Sequence, residues 1–214
     1  FKDISLSEIG PIFYGSQPGQ QETVIGGLRS GKVSRLSWLE KDRLVDIFDV
    51  KKDVIQTLVE SGFDGIMIEN YEDVPFFKDK LPPEAVGGLS ICCDEVRRRH
   101  PNMPMGVNAL RNDALSALSI AHVTNLDFIR VNVLCGAVVT DQGIIEGCAA
   151  DLLRLKRSLN ASVEVWADFN VKHAQPLVQM PEEQVLSDLI VRGGADLVLI
   201  SGSGTGQPTP SDEV

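Results

Sequence analysis

The chain has 214 residues, 43% of them hydrophobic and 23% charged, which allows one ordinary core but hardly two, so a single domain is expected. A formal net charge of −10 works against extended contact with nucleic acid or an anionic membrane surface. No apolar run approaches the ~20 residues that cross a bilayer. The 4 cysteines lack both CxxC pairing and the density of a disulfide scaffold, so we expect a soluble protein of a reducing compartment, the cytoplasm or the interior of a mitochondrion or plastid.

In chain order, residues 1–45 form an irregular segment with Pro11, Pro18 and scattered glycines, in which 22–28 could be a short strand. Residues 50–59 have helical periodicity. From there on, short β-rich runs alternate with helical stretches, which is typical of a parallel sheet covered by crossover helices. The predicted strands are 65–70, 105–110, 128–133, 163–169 and 197–201.

The helices between these strands have recognisable starts and apolar stripes. One begins after Pro82, the next after an Asn112 cap, and the last after Pro181. Cys148, Leu152, Leu155 and Leu159 recur at helical spacing in between. Cys92 and Cys93 are adjacent in the first of these helices, so they face different directions and serve most simply as small buried hydrophobes.

A three-residue junction recurs before every second strand, at 62–64, 125–127 and 194–196. In each, a residue tolerant of positive φ ends the helix, an apolar residue follows, and an aspartate leads into the strand. A two-strand period favours a closed barrel, with an open doubly wound sheet as the alternative.

The predicted fold is α/β, a parallel (β/α)8 TIM-type barrel in one domain over residues 1–214. A complete barrel typically takes ~250 residues. Five clear strands therefore indicate a fragment in which the first strand is uncertain and the last strands are missing. Uncovered sheet edges would favour homo-oligomerisation.

Polar residues follow the predicted strands at their carboxyl ends, which meet at a common mouth in a parallel barrel. An arginine inside an apolar strand is costly unless it is paired or meets an anion. The substrate-binding candidates at the first three strands are Glu69, Asn70, Asp73, Asn108, Arg111, Asn112, Arg130 and Asn132.

The fourth strand adds a carboxylate, an amide and an amine. If the extended chain continues to its end, Asp168, Asn170 and Lys172 share one face, and Asp168 with Lys172 could move a proton. Alternatively, Asp168 and Lys172 simply pair with Arg130 and Glu69 in a buried polar network. His173 is either an acid-base or ligand residue or a loop residue beside the site.

Two loops complete the candidate site. Gly202, Gly204 and Thr205 follow the last strand, where exposed backbone N–H groups could cradle a phosphate or simply form a flexible turn. The loop 140–143 with Asp141 is placed to cover a substrate, or is a capped turn leading into the next helix. No regular ligand spacing supports a metal, and no cofactor is assigned.

The set suggests a site for a small anionic or phosphorylated metabolite. Arg111 and Arg130 would neutralise its anionic group, and the asparagines would orient its hydroxyls.

Five stretches in order over residues 60–210 resemble the BtpA/SgcQ family: IENYEDVPF (68–76), GVNALRND (106–113), FIRVNV (128–133), TDQG (140–143) and VKHA (171–174). The resemblance implies a barrel of the ribulose-phosphate-binding type. It also implies a link to photosystem I accumulation and peripheral association with thylakoids in photosynthetic members. It implies no particular reaction. The role of the photosynthetic members prompts a rival hypothesis, a non-catalytic assembly or stability factor, which predicts a protein partner. The family's opening strand with its His-Leu-Pro-rich loop is not recognisable in residues 1–45, and its closing strands are absent.

Overall fold

A computed structural model describes the two strands at 4–13 and 21–30, and residues 63–71 and 73–200. The chain divides into two compact units, Phe1–Asp64 and Gly65–Val214. The predicted helix at 50–59 and the phosphate-loop candidates Gly202, Gly204 and Thr205 lie outside the described residues.

The first unit contains an antiparallel strand pair. Strand β1 (Ile4–Phe13) pairs with β2 (Gln21–Ser30), with Ile4 opposite Ser30 and Phe13 opposite Gln21. The short strand predicted at 22–28 is confirmed within β2, whereas β1 has no counterpart among the predicted strands. Because both strands of a two-stranded sheet are edge strands, Pro11 is tolerated in β1.

The second unit alternates strands and helices, as predicted from residue 65 onward. In chain order its elements are β3 (Ile66–Glu69), α1 (Pro83–Arg99), β4 (Met105–Asn108), α2 (Ala114–Val123), β5 (Phe128–Val131), β6 (Ala137–Thr140), β7 (Gly143–Glu146), α3 (Ala149–Ser158), β8 (Glu164–Phe169), β9 (Gln175–Pro176), α4 (Glu182–Ser187), a π-helical turn (Asp188–Arg192) and β10 (Leu197–Ile200).

The main sheet has five parallel strands in the order β10-β8-β5-β4-β3. Spatial neighbours are thus also successive parallel strands along the chain. Helices α1 and α2 contact β3, β4 and β5. One face of the sheet is apolar, and its most deeply buried side chains include Met105, Val107, Ile129, Val131, Val165 and Ala167.

The helix starts follow the sequence, with one exception. Helix α1 begins directly after Pro82 with proline in its first turn, and Arg97, Arg98 and Arg99 lie at its carboxyl end, where positive charge is favourable. Helix α2 is capped by Asp113, whose side chain accepts from the Ser116 N–H, so the prediction of Asn112 as cap is wrong by one residue. The Asn112 side chain is instead bonded to the backbone of the next strand's end.

Two of the three predicted junctions are confirmed, and the first, at 62–64, begins outside the described residues. Asn125 and Gly194 have positive φ angles of 55° and 67°. The Asp127 carboxylate accepts from the Met105 N–H at 2.8 Å, which ties this junction to the start of β4. Asp196 does the same at the Val165 N–H of β8, also at 2.8 Å. These aspartates therefore fasten each new strand to its neighbour.

A small antiparallel sheet stands beside the strand ends, in the order β7-β6-β9. Residues 140–143 are the tight turn of its β6–β7 hairpin, with Thr140 opposite Gly143, so the reading of this loop as a capped turn into the next helix is wrong. Val138 and Ile145 of the hairpin pack with Val133 and Val171. The hairpin is therefore anchored to the chain that leaves β5 and β8.

Of the adjacent pair that the sequence predicts to be buried, Cys93 is buried and Cys92 is half-buried. All four cysteines are free, and Cys93 is completely buried. Burial raises the pKa of the Cys93 thiol to about 12 and that of Cys148 to about 11. Both thiols thus stay protonated and act as small hydrophobes. Across residues 63–71 and 73–200, the structure contains no helix long and apolar enough to span a bilayer.

Candidate functional site

The carboxyl ends of three neighbouring strands form one polar row. Register places Glu69 of β3 opposite Asn108 of β4, and Asn108 opposite Arg130 of β5. The Asn108 Nδ2 donates to Glu69 Oε2 at 3.1 Å. Since residues paired across a parallel ladder share a face, the three side chains stand on the same side of the sheet.

The row ends in a buried ion pair between β5 and β8. Arg130 Nε donates to both oxygens of Asp168 at 3.1 Å, and its Nη2 lies 3.0 Å from Oδ1. Asn132 Nδ2 donates to Asp168 Oδ2 at 2.6 Å. The Asp168 side chain is 0% exposed and that of Arg130 is 19% exposed. Charge-assisted bonds of this kind fix the orientation of all three groups.

A second buried guanidinium belongs to Arg111, which follows β4. Its Nη2 donates to the Lys172 carbonyl oxygen at 2.6 Å. Burial lowers the pKa of Arg111, the charges of Asp141 and Asp168 oppose that change, and Arg130 adds to it. The charges of Asp141, Asp168 and Arg130 therefore all act on the Arg111 guanidinium.

Two of the predicted ligand-orienting amides are structural clamps. Asn70 Oδ1 accepts from the Leu110 N–H at 2.8 Å, and its Nδ2 donates to the Leu110 carbonyl at 3.3 Å. Asn112 makes the same two bonds with Val133. Its Oδ1 accepts from the Val133 N–H at 2.9 Å, and its Nδ2 donates to the Val133 carbonyl at 3.0 Å. Beyond the strand ends, each amide thus bonds the N–H and the carbonyl of one residue, as a neighbouring backbone would do within the sheet.

Replacing Asn112 by alanine is expected to lower the free energy of unfolding by about 1–3 kcal/mol. The Val133 N–H loses its partner, and the Val133 carbonyl keeps only the weak bond from the Cys148 Sγ at 3.6 Å. Urea denaturation followed by circular dichroism measures the change. The matched control is Asn102→Ala, which removes an exposed amide from the turn before β4 and should change stability by less than about 0.5 kcal/mol. Equal losses in the two variants would contradict the clamp.

The end of β8 departs from the sequence prediction. The strand stops at Phe169, and Asn170 and His173 adopt positive φ angles of 54° and 59°. The prediction that Asp168, Asn170 and Lys172 share one face of a continuous strand is therefore wrong, because two left-handed residues turn the chain. Asn170 and His173 are exposed and Lys172 is half-buried.

The alternative reading of a buried polar network is met in part. Asp168 pairs with Arg130 as that reading requires, but Glu69 accepts from Asn108. The exposed Asp73 accepts from Asn70 Nδ2 at 3.2 Å. Within residues 63–71 and 73–200, no group of three histidine, cysteine, aspartate or glutamate side chains is arranged to hold a metal ion.

Sequence reasoning missed two contributors to this region. One is the carbonyl of Lys172, a backbone acceptor that holds Arg111 and has no sequence signature. The other is Asp113, which accepts from the Leu81 N–H at 2.9 Å as well as capping α2. An aspartate directly before an apolar helix was the available signal.

The fold and the site together define an α/β protein with charged and amide side chains gathered at the carboxyl ends of a parallel sheet. The sequence profile of the BtpA family matches residues 34–214, and the chain belongs to that family.

Curated relatives support this assignment. An uncharacterized protein of Pyrococcus horikoshii is 46% identical over 155 residues, which are 72% of this chain and 58% of the relative. The photosystem I biogenesis protein BtpA of Synechocystis is 45% identical over 151 residues, 71% of this chain and 52% of the relative. An uncharacterized mitochondrial protein of Caenorhabditis elegans is 31% identical over 168 residues, 72% of this chain and 58% of the relative. The chain thus spans little more than half the length of these relatives.

Proposed function

We propose that the five parallel strands are part of a (β/α)8 barrel whose mouth binds a small metabolite with an anionic, phosphorylated group. The strand order supports the barrel. In a doubly wound sheet the order reverses at a switch point, whereas here successive parallel strands are neighbours throughout β3, β4, β5, β8 and β10.

The observation that carries the binding proposal is the state of Arg111. Its guanidinium is buried, yet among the described residues its hydrogen bond goes to a neutral carbonyl and not to a carboxylate. A buried positive charge without a hydrogen-bonded anion is unfavourable, and an anionic ligand would complete it. Arg130 is different, because Asp168 already neutralises it.

Calorimetric titration of the purified protein with ribose 5-phosphate and with ribose tests the proposal. The phosphate ester is expected to bind and the free sugar to bind weakly or not at all. Arg111→Ala should weaken binding of the ester about 10- to 150-fold, the value of hydrogen bonds to a charged group. The matched control is Arg154→Ala, which removes an exposed arginine of α3. Binding that is indifferent to Arg111 would overturn the assignment.

If the bound metabolite is also converted, the candidates for proton transfer are Asp168 and Lys172, and their contacts distinguish them. Asp168 holds three hydrogen bonds from Arg130 and Asn132, so protonating it would disrupt the ion pair. The Lys172 side chain makes no hydrogen bond or ion pair with a described residue, and Lys172 is half-buried beside Arg111. The geometry thus favours Lys172 as the group that moves a proton, with Asp168 holding Arg130 in place.

An assembly role is the second candidate, favoured by the name of the Synechocystis relative and by an apolar outer face on the small sheet. Val139 and Ile144 are paired across the hairpin, and both are exposed. Leu177 and Val178, which follow β9, are exposed as well. A strain of Synechocystis lacking its relative would be supplied with this chain. If the role is assembly, Val139→Asp with Ile144→Asp should abolish recovery of photosystem I, and Arg111→Ala with Lys172→Ala should not. The reverse result would favour the metabolite site.

A further inference from the structure

A buried acceptor in the site has no partner. Asn132 is 3% exposed, and its side-chain oxygen Oδ1 makes no hydrogen bond with any described residue. Asn132 follows the last residue of β5 and stands two positions after Arg130, at the carboxyl end of the strand. A buried amide oxygen left without a donor is destabilising, so some group is expected to occupy it.

The orientation of this amide is dictated by its neighbours. Arg130 fixes the Asp168 carboxylate through both oxygens, and that carboxylate accepts from Asn132 Nδ2. A flipped amide would place its oxygen against a carboxylate, two acceptors facing one another with no proton between them. The chain Arg130, Asp168, Asn132 therefore holds Oδ1 on the side of the amide that faces away from Asp168.

The other amides of the site are already engaged. Asn70 and Asn112 hold backbone groups of Leu110 and Val133. Asn108 donates to Glu69. Of these, Asn132 alone has a buried oxygen without a donor. Among the described residues the other buried side-chain atoms without a partner are Arg97 Nε and, on the hairpin turn, Gln142 Oε1.

We infer that the ligand of this mouth is a hydroxylated phosphate ester, with a hydroxyl that donates to Asn132 Oδ1 while its phosphoryl group meets Arg111. This inference rests on the proposed function and refines it. A site built around a buried acceptor discriminates against an analogue that lacks the donor, because the acceptor is then left unpaired. Asn132 would therefore recognise a hydroxyl of the ligand, and Arg111 would bind its phosphoryl group.

The test compares glycerol 3-phosphate with propyl phosphate, which carries the same phosphoryl group and no hydroxyl. Calorimetric titration of the purified protein is expected to give about three- to tenfold tighter binding of glycerol 3-phosphate, the value of one neutral hydrogen bond. Asn132→Ala should remove this preference, so that the variant binds the two esters with equal affinity. Asn102→Ala, with its exposed amide, should keep the preference.

The possible outcomes separate the two proposals. Equal affinities of the wild-type protein for the two esters would overturn the inference and leave the phosphate site standing, because water would then satisfy Oδ1. A preference that survives in Asn132→Ala would also overturn it. If neither ester nor inorganic phosphate binds, the proposed function fails and the inference fails with it. The wild-type comparison decides even if Asn132→Ala does not fold.

Discussion

Replacing Asp168 by alanine is expected to lower the free energy of unfolding by about 3–5 kcal/mol. The carboxylate is completely buried and accepts from Arg130 and Asn132. Its removal leaves the Arg130 guanidinium mostly buried without its counter-charge, and leaves Asn132 Nδ2 without an acceptor. Urea denaturation monitored by circular dichroism and tryptophan fluorescence measures the change.

A control and a compensating variant define the cause of this loss. Asp79→Ala removes an exposed carboxylate, 73% accessible in its side chain, and should change stability by less than about 0.5 kcal/mol. Asp168→Ala combined with Arg130→Met should recover part of the loss, because no buried charge remains unpaired. A double variant as unstable as the sum of its single variants would show that the two residues do not act as a pair.

The sequence reveals the parts of the site that depend on local periodicity. Glu69 and Asn108 are the last residues of short strands and Arg130 is the last but one of the next strand. The period of two together with parallel pairing is enough to put them on one face. The aspartates of the junctions are also local, since Asp127 and Asp196 each follow a residue with positive φ. Such features recur along the chain and need no knowledge of distant contacts.

The remaining features depend on contacts between distant parts of the chain or on single backbone angles. Asn70 reaches Leu110 across 40 positions, so its use as a clamp has no local signature. The run that includes Asp168, Asn170 and Lys172 alternates like a strand, but Asn170 adopts a left-handed conformation. Asparagine tolerates that conformation better than most residues, and this was the available warning.

The hairpin turn at 140–143 could have been predicted from the sequence, because it is a Gly-containing connection between two β-branched runs. Its hairpin joins Val138 and Val139 to Ile144 and Ile145. Such a connection favours a hairpin over a helix start. Asp141 therefore lies at the tip of the β6–β7 hairpin, where its negative charge raises the pKa of Arg111.

Replacing Gly106 by alanine is expected to destabilise the protein by about 1–3 kcal/mol, toward the upper end of the range for overpacking. A Cβ at this position would lie 2.1 Å from Cε2 of Phe128. The ring of Phe128 is buried and stacked on Trp166, with centroids 3.6 Å apart and planes within 7°. Because the ring is held on both sides, it cannot yield without breaking that stack, and the strand pair β4–β5 must shift.

Two further variants make this prediction specific to the clash. Gly87 lies within α1 on its exposed side, where an added Cβ would meet nothing within 4 Å. Gly87→Ala should therefore stabilise the protein by about 1 kcal/mol, because alanine has the higher helix propensity. Phe128→Leu should cost stability in the wild-type protein but less in the Gly106→Ala background, since the smaller side chain gives room to the new methyl group. If Gly106→Ala behaves like Gly87→Ala, the close approach of β4 to Phe128 does not exist, and the aromatic stack beneath Arg130 would need a different arrangement.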